Sequence, residues 1–258
     1  MFDGLKLAFG TLTAIAVPAP SQIDRRVAGR AMTLAPLTQL PWVAVLLLWG
    51  WTVRQLPLPP LLAAATTLVA LTLATRGMHL DGLADTSDGL SASYDRLKAL
   101  DVMHRGNIGP SGVAAVVLVL LVDAGALAFL LTTASGVVLV CLSLIASRQL
   151  LAWACSSRVP SARHDGLGAT VAGTVPPLMV AAGFILLLGV SAVATGWSGP
   201  SWWTGPVATC SAALGGVAVI RRATGRFGGI TGDVLGAVIE VSFAVALTVS
   251  AVLVSVKP

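Results

Sequence analysis

Apolar residues in this chain run in long blocks and do not alternate. Seven blocks stand out, at 34–53, 55–75, 109–131, 135–157, 174–196, 203–220 and 234–256. Each approaches or exceeds the about 20 residues an α-helix needs to cross a hydrocarbon core roughly 30 Å thick. Gln55 to Thr75 carries no charge, and the tract 110–147 is interrupted by Thr132-Thr133-Ala134-Ser135-Gly136, which predicts a hairpin between the third and fourth spans. The stretch 7–19 is apolar but short and ends in Pro18-Ala19-Pro20, so it predicts an interfacial or re-entrant piece. Ala14-Ile15-Ala16 looks like a leader cleavage site, but residues 1–6 have no net positive charge, and no cleaved leader is expected. The pattern predicts an all-α, polytopic integral-membrane bundle of about seven transmembrane helices. It has no fixed repeat or low-complexity run, so 1–258 is expected to form a single membrane-embedded domain.

Composition supports this reading. Charged residues make up 10% of the 258 and AVILMFWYC 56%, with a mean hydropathy of +0.89. Soluble domains average roughly 25% charged residues, so a soluble protein is excluded, and disordered chains lack such apolar content. The net charge of +5 acquires a meaning from the spans. With the N-terminus inside, all 16 Lys and Arg except Arg54 and Lys257 fall on the inner side. That bias sets the orientation in the membrane, and no nucleic-acid partner is needed to explain it. Trp49, Trp51, Trp197, Trp202 and Trp203 fall at the outer boundary, as an aromatic belt would. Cys141, Cys155 and Cys210 have no metal-ligand spacing and read as small hydrophobes.

The longest inner segment, 76–108, holds Asp81, Asp85 and Asp88 at i, i+4 and i+7, on one helical face within about 60°. No Lys or Arg occurs between Gly77 and Asp95. Clustered like charges beside a bilayer call for a cation, and an all-oxygen, thiol-free set suits Mg²⁺ or Mn²⁺ rather than Zn²⁺. Gly82 and Gly89 each follow an aspartate, where a missing side chain lets another helix or a phosphate come close. A second inner segment places Gly228, Gly229 and Gly232 before Asp233, at the start of the last span. Its amides can face an anion. Glu240 follows on the same face, about 10 Å deeper, and an intramembrane carboxylate is a functional candidate by default. Asp123 is a second such carboxylate, equally explained by a hydrogen bond to a neighbouring helix. Arg148, Arg158 and Arg163 surround the inner end of the fourth span, as anchors or as phosphate ligands. Carboxylates, a glycine turn and arginines on one face are what transfer of a phosphorylated group requires. A divalent-cation transporter would instead place its polar groups near the midplane, between repeats.

His79-Leu80-Asp81-Gly82-Leu83-Ala84-Asp85-Thr86-Ser87-Asp88-Gly89 resembles the signature of the cobalamin synthase (adenosylcobinamide-GDP ribazoletransferase) family. Phe227 to Ala237 followed by Glu240, Ser147-Arg148, and Ala162-Arg163-His164-Asp165-Gly166-Leu167-Gly168 resemble further landmarks of that family. The chain departs from the family pattern at Met103-His104-Arg105-Gly106-Asn107-Ile108-Gly109, where Met-Arg-Asp-Ser-Arg-x-Gly is frequent. The core at 85–89 is also similar to CDP-alcohol phosphotransferases, without their downstream aspartates. The resemblance implies an Mg²⁺-dependent enzyme working at the cytoplasmic face of the inner membrane. It would transfer the cobinamide-phosphate group of adenosylcobinamide-GDP to α-ribazole or its 5′-phosphate, with GMP leaving. Carried onto this chain, Asp85 and Asp88 would be catalytic, and Asp81, Asp85, Asp88, Asp233 and Glu240 would hold metal. His79, Gly82, Gly89, Arg148, Arg163, Gly228, Gly229, Thr231 and Gly232 would contact substrate. The lipid bilayer is an expected partner, and a homo-oligomer is compatible with the pattern.

Overall fold

A computed structural model describes residues 2–199 and 201–256. Within them the chain is helical, with isolated bridges at Ser156–Val175 and Ser161–Ile230 and no strand. Each of the seven apolar blocks forms a helix. These are α3 (Leu40–Gln55), α4 (Pro60–Ala74), α7 (Pro110–Leu130), α8 (Ala134–Ala154), α10 (Pro177–Ser198), α11 (Thr204–Phe227) and α12 (Gly232–Ser255). Before and between them lie α1 (Phe2–Leu12), α2 (Arg25–Leu34), α5 (Met78–Ala92), α6 (Arg96–His104) and α9 (Gly166–Val171).

Five segments are long and apolar enough to cross a membrane, six if the bent pair α4–α5 is one span. The count falls below seven for physical reasons. Pro57, Pro59 and Pro60 deny the chain backbone donors, so α4 starts late and has only 15 residues. Arg76 (φ 57°) and Gly77 (φ 72°) are both left-handed, and α5 leaves α4 at 89°. The Arg76 guanidinium, donating to the Gly10 carbonyl at 3.0 Å, fixes that corner against α1. α11 is 24 residues long, but its small and polar residues and Arg221-Arg222 dilute its hydropathy. The 7–19 stretch is helical only to Leu12, and α1 packs on α2.

The bundle is built around α8, 83% buried over its most apolar stretch, with α12 packed on α8, α11, α5 and α7. α7 and α10 are only 22% buried over theirs and present Leu118, Leu121, Ile185 and Leu186 outward, as lipid-facing helices do. α5 runs across the Pro110 end of α7 and the Gly232 end of α12.

Candidate active site

Two glycines let α5 cross α12 at backbone contact. A Cβ on Gly82 would lie 2.6 Å from the Asp233 carbonyl oxygen, and one on Gly236 would lie 2.9 Å from the His79 carbonyl oxygen. This crossing carries Asp81 and Asp233, 152 positions apart in sequence, to one cavity of about 450 Å³. Thr231 caps α12, its hydroxyl oxygen accepting from the Val234 amide at 3.3 Å and lying 3.2 Å from Asp233 Oδ2. Thr231, Gly232, Arg163, His104 and Asp165 complete the polar wall. The Arg163 guanidinium donates to the Leu100 carbonyl at 2.5 Å, which ties the 156–165 segment to α6 and leaves further N–H groups at the cavity.

Asp85, one turn beyond Asp81, is half-buried. Desolvation, then the charges of Asp81, Asp233 and Asp88, push its carboxyl up to about 6. A cation in this cluster would relieve that repulsion. No three His, Cys, Asp or Glu among the described residues converge as a closed metal cage. Mg²⁺ does not need one, because it is commonly bound through one or two carboxylates with substrate phosphates and waters. The two carboxylates that share the cavity wall, Asp81 and Asp233, fit such an ion, with Asp85 one turn away.

The remaining expected members stand elsewhere. Asp88 is buried, and its two carboxylate oxygens accept from the amides of Gly109 (2.6 Å) and Gly112 (2.8 Å) at the first turn of α7. It is a helix cap supplied from another helix, and it does not line the cavity. Glu240 is not with the aspartates either. It lines a separate space of about 30 Å³, among Arg148, Asp123 and Thr75. His79 Nδ1 lies 3.4 Å from Arg148 Nη2 and 3.8 Å from Glu240 Oε1, and Arg148 Nη1 donates to the Ser147 hydroxyl at 2.8 Å. Burial, then the Arg148 charge, hold His79 well below the usual imidazole range. A neutral Nδ1 facing a guanidinium donor acts as an acceptor, so the His79–Glu240 contact is no ion pair. Arg148, 4% exposed, lines that inner space with Glu240 and Asp123 and does not line the cavity.

The glycines divide in the same way. Gly82 admits α12, and Gly89 admits α6, where a Cβ would meet Met103 Cγ at 2.5 Å. Gly228 (φ 76°) caps α11 beneath the Arg96 guanidinium, and Gly229 packs on the 160–162 backbone. These four serve packing, and Gly232 and Thr231 are left facing the cavity. Sequence reasoning missed His104 and Asp165 as wall residues. Asp165 lay within a quoted landmark and His104 in the departing 103–109 segment, but neither had a periodic partner to mark it.

A family model described as Cobalamin-5-phosphate synthase matches residues 4–251. The chain is 44% identical over 256 residues to an adenosylcobinamide-GDP ribazoletransferase of Nocardioides sp., covering 96% of this chain and 97% of that one. It is 39% identical to a protein of the same name from Frankia casuarinae (95% and 93% covered) and 30% identical to one from Pseudomonas fluorescens (91% and 93%). No solved structure matches. With the match running from α1 into α12, and the aspartate motif and the glycine turn meeting at one cavity, the chain belongs to the cobalamin-5-phosphate synthase family.

Proposed function

We propose that this protein transfers the adenosylcobinamide-phosphate group of adenosylcobinamide-GDP to α-ribazole or its 5′-phosphate, releasing GMP and completing the corrinoid. One observation carries the residue assignment: Asp81 and Asp233, from helices far apart in sequence, line one cavity with Arg163. Asp81 and Asp233 would hold Mg²⁺. When bound, the ion neutralises diphosphate charge and makes the phosphorus more electrophilic. Arg163 and the Thr231–Gly232 turn at the α12 N-terminus bind phosphate oxygens. A ribose hydroxyl oxygen of the ribazole forms the new bond to the cobinamide phosphorus, and the bond from that phosphorus to the GMP oxygen breaks. Asp85, half-buried between the acids and Arg163, accepts the hydroxyl proton. Asp88 and Gly82 hold α5 in register with α7 and α12, so that these groups stay aligned.

Chain 1–258 acts as one transferase unit in the plasma membrane, with the arginine-rich end and the cavity in the cytoplasm. Purified protein in lipid, given both substrates and Mg²⁺, should release GMP with formation of the complete corrinoid. Chelation should stop it and Mg²⁺ restore it. No product under these conditions refutes the assignment. For the orientation, Ser91→Cys and Thr132→Cys should label from opposite faces of the membrane, and labelling from one face would overturn it.

A further inference from the structure

Away from the catalytic cavity, and sharing no residue with it, a groove of about 470 Å³ lies between the inner ends of α8, α10 and α11. Its walls are Trp153, Val180, Phe184, Val217 and Ile220, and the rings of Trp153 and Phe184 pack 5.0 Å apart at a 36° tilt. Ala181 and Ile185, both exposed, form the open side toward the lipid. Two guanidinium groups, Arg158 and Arg221, border the trough.

The arginines on this side of the molecule are not equivalent. Arg25 donates to the Ala172 carbonyl at 3.1 Å, Arg96 to Ala162 at 3.0 Å, and Arg163 and Arg226 to Leu100 and Ser93, each at 2.5 Å. These fasten loops to helices. Arg158 and Arg221 are exposed and have no ion-pair partner among the described residues. A trough open to acyl chains needs no cations, and cations serving only as topological anchors need no trough. Their coincidence describes an amphiphile with an anionic head.

We propose that this groove binds one phospholipid with an anionic headgroup, its phosphate between Arg158 and Arg221 and an acyl chain along Trp153 and Phe184. The guanidinium fork matches phosphate oxygens, and the apolar wall excludes a free inorganic ion as the whole ligand. The lipid would fill the seam between α10 and the α8–α11 core, which otherwise lies open at this end. The proposal requires the membrane setting but not the transferase reaction, so the two can fail separately.

The test is native mass spectrometry of the full chain released from vesicles of phosphatidylcholine with a minority of phosphatidylglycerol. The wild-type protein should retain one phosphatidylglycerol in preference to phosphatidylcholine. A basic residue at the membrane surface contributes about fivefold, so Arg158→Ala with Arg221→Ala should lower that preference roughly 25-fold. Arg222→Ala, an exposed neighbour that does not line the groove, should leave it unchanged. Ala181→Trp should fill the trough and expel the lipid while both arginines remain. An unaltered thermal unfolding transition in detergent would show that each variant is folded. Equal retention of both lipids by the wild type, or an unchanged preference in the double variant, overturns the proposal. Displacement of the lipid by millimolar inorganic phosphate overturns the acyl-chain half of it.

Discussion

α5 and α12 each contribute to two charge clusters, one open and one closed. Asp81 and Asp233 line the cavity with Arg163, and Asp85 stands one turn behind Asp81. Glu240 lines the inner space with Arg148 and Asp123, while His79 borders the cavity and reaches Arg148 and Glu240 as well. The open cluster carries more acid than base and can exchange ions with water. The closed one has a space of about 30 Å³, room for a water or two, and must balance itself. Asp123 Oδ1, Arg148 Nε and His79 Nε2 have no hydrogen-bond partner there among the described residues. The open cluster keeps its excess charge within reach of water, and the inner one sets acid against base.

The largest effect should come from unbalancing the closed cluster. Glu240→Gln or Arg148→Met alone leaves a buried charge without its counterion, which should cost about 3–5 kcal/mol of unfolding free energy in mixed micelles. The double variant should cost less than the sum of the two. Single losses below about 1 kcal/mol would mean that the cluster is hydrated, and the contrast between the regions would collapse.

In the open cluster the effect should move from stability to rate. Asp85→Asn and Asp233→Asn should each lower GMP release by about 10²–10³, the cost of losing one electrostatic stabiliser, with unfolding unchanged or improved as repulsion is relieved. Asp95→Asn is the control, because Asp95 caps α6 by accepting from the Lys98 amide at 3.0 Å, a role asparagine also fills. If Asp85→Asn and Asp95→Asn give the same rate, the cavity is not the reacting region.

Asp88 lies between the two classes and gives the smallest, sharpest test. Asp88→Ala strands the Gly109 and Gly112 amides and should cost about 1–3 kcal/mol, with faster hydrogen exchange at the start of α7. Asp88→Asn, keeping one acceptor oxygen, should cost less. A loss of turnover with stability intact would return Asp88 to the metal set.

How much was legible in the sequence follows from the range of each interaction. The aspartate face was readable because i, i+4 and i+7 are local geometry, and the spans because hydropathy is additive along the chain. Asp88 shows the limit, as its spacing is that of Asp81 and Asp85 while its partners lie 21 and 24 residues away. Glu240 follows Asp233 by seven residues on α12, but that spacing did not reveal that it lines a different space, shared with Arg148 and Asp123 from other helices. The glycines carried their signal of close approach, and only the packing distinguished a neighbouring helix from a ligand. The shortened α4 follows from a proline cluster visible in the sequence, but the 89° turn after it depends on tertiary contacts of α1.

That shortened helix has a consequence for the bilayer itself. At 1.5 Å per residue, α4 rises about 22 Å, several ångströms less than the hydrocarbon thickness it faces. Hydrophobic mismatch of this sign would draw the headgroup plane inward around the α4–α5 corner, next to the carboxylates of α5. A substrate arriving from water would then meet Asp81 and Asp233 in a depression of the membrane surface, without having to enter the acyl-chain region. Turnover in this protein should therefore respond to bilayer thickness, falling in vesicles whose longer chains resist the dimple.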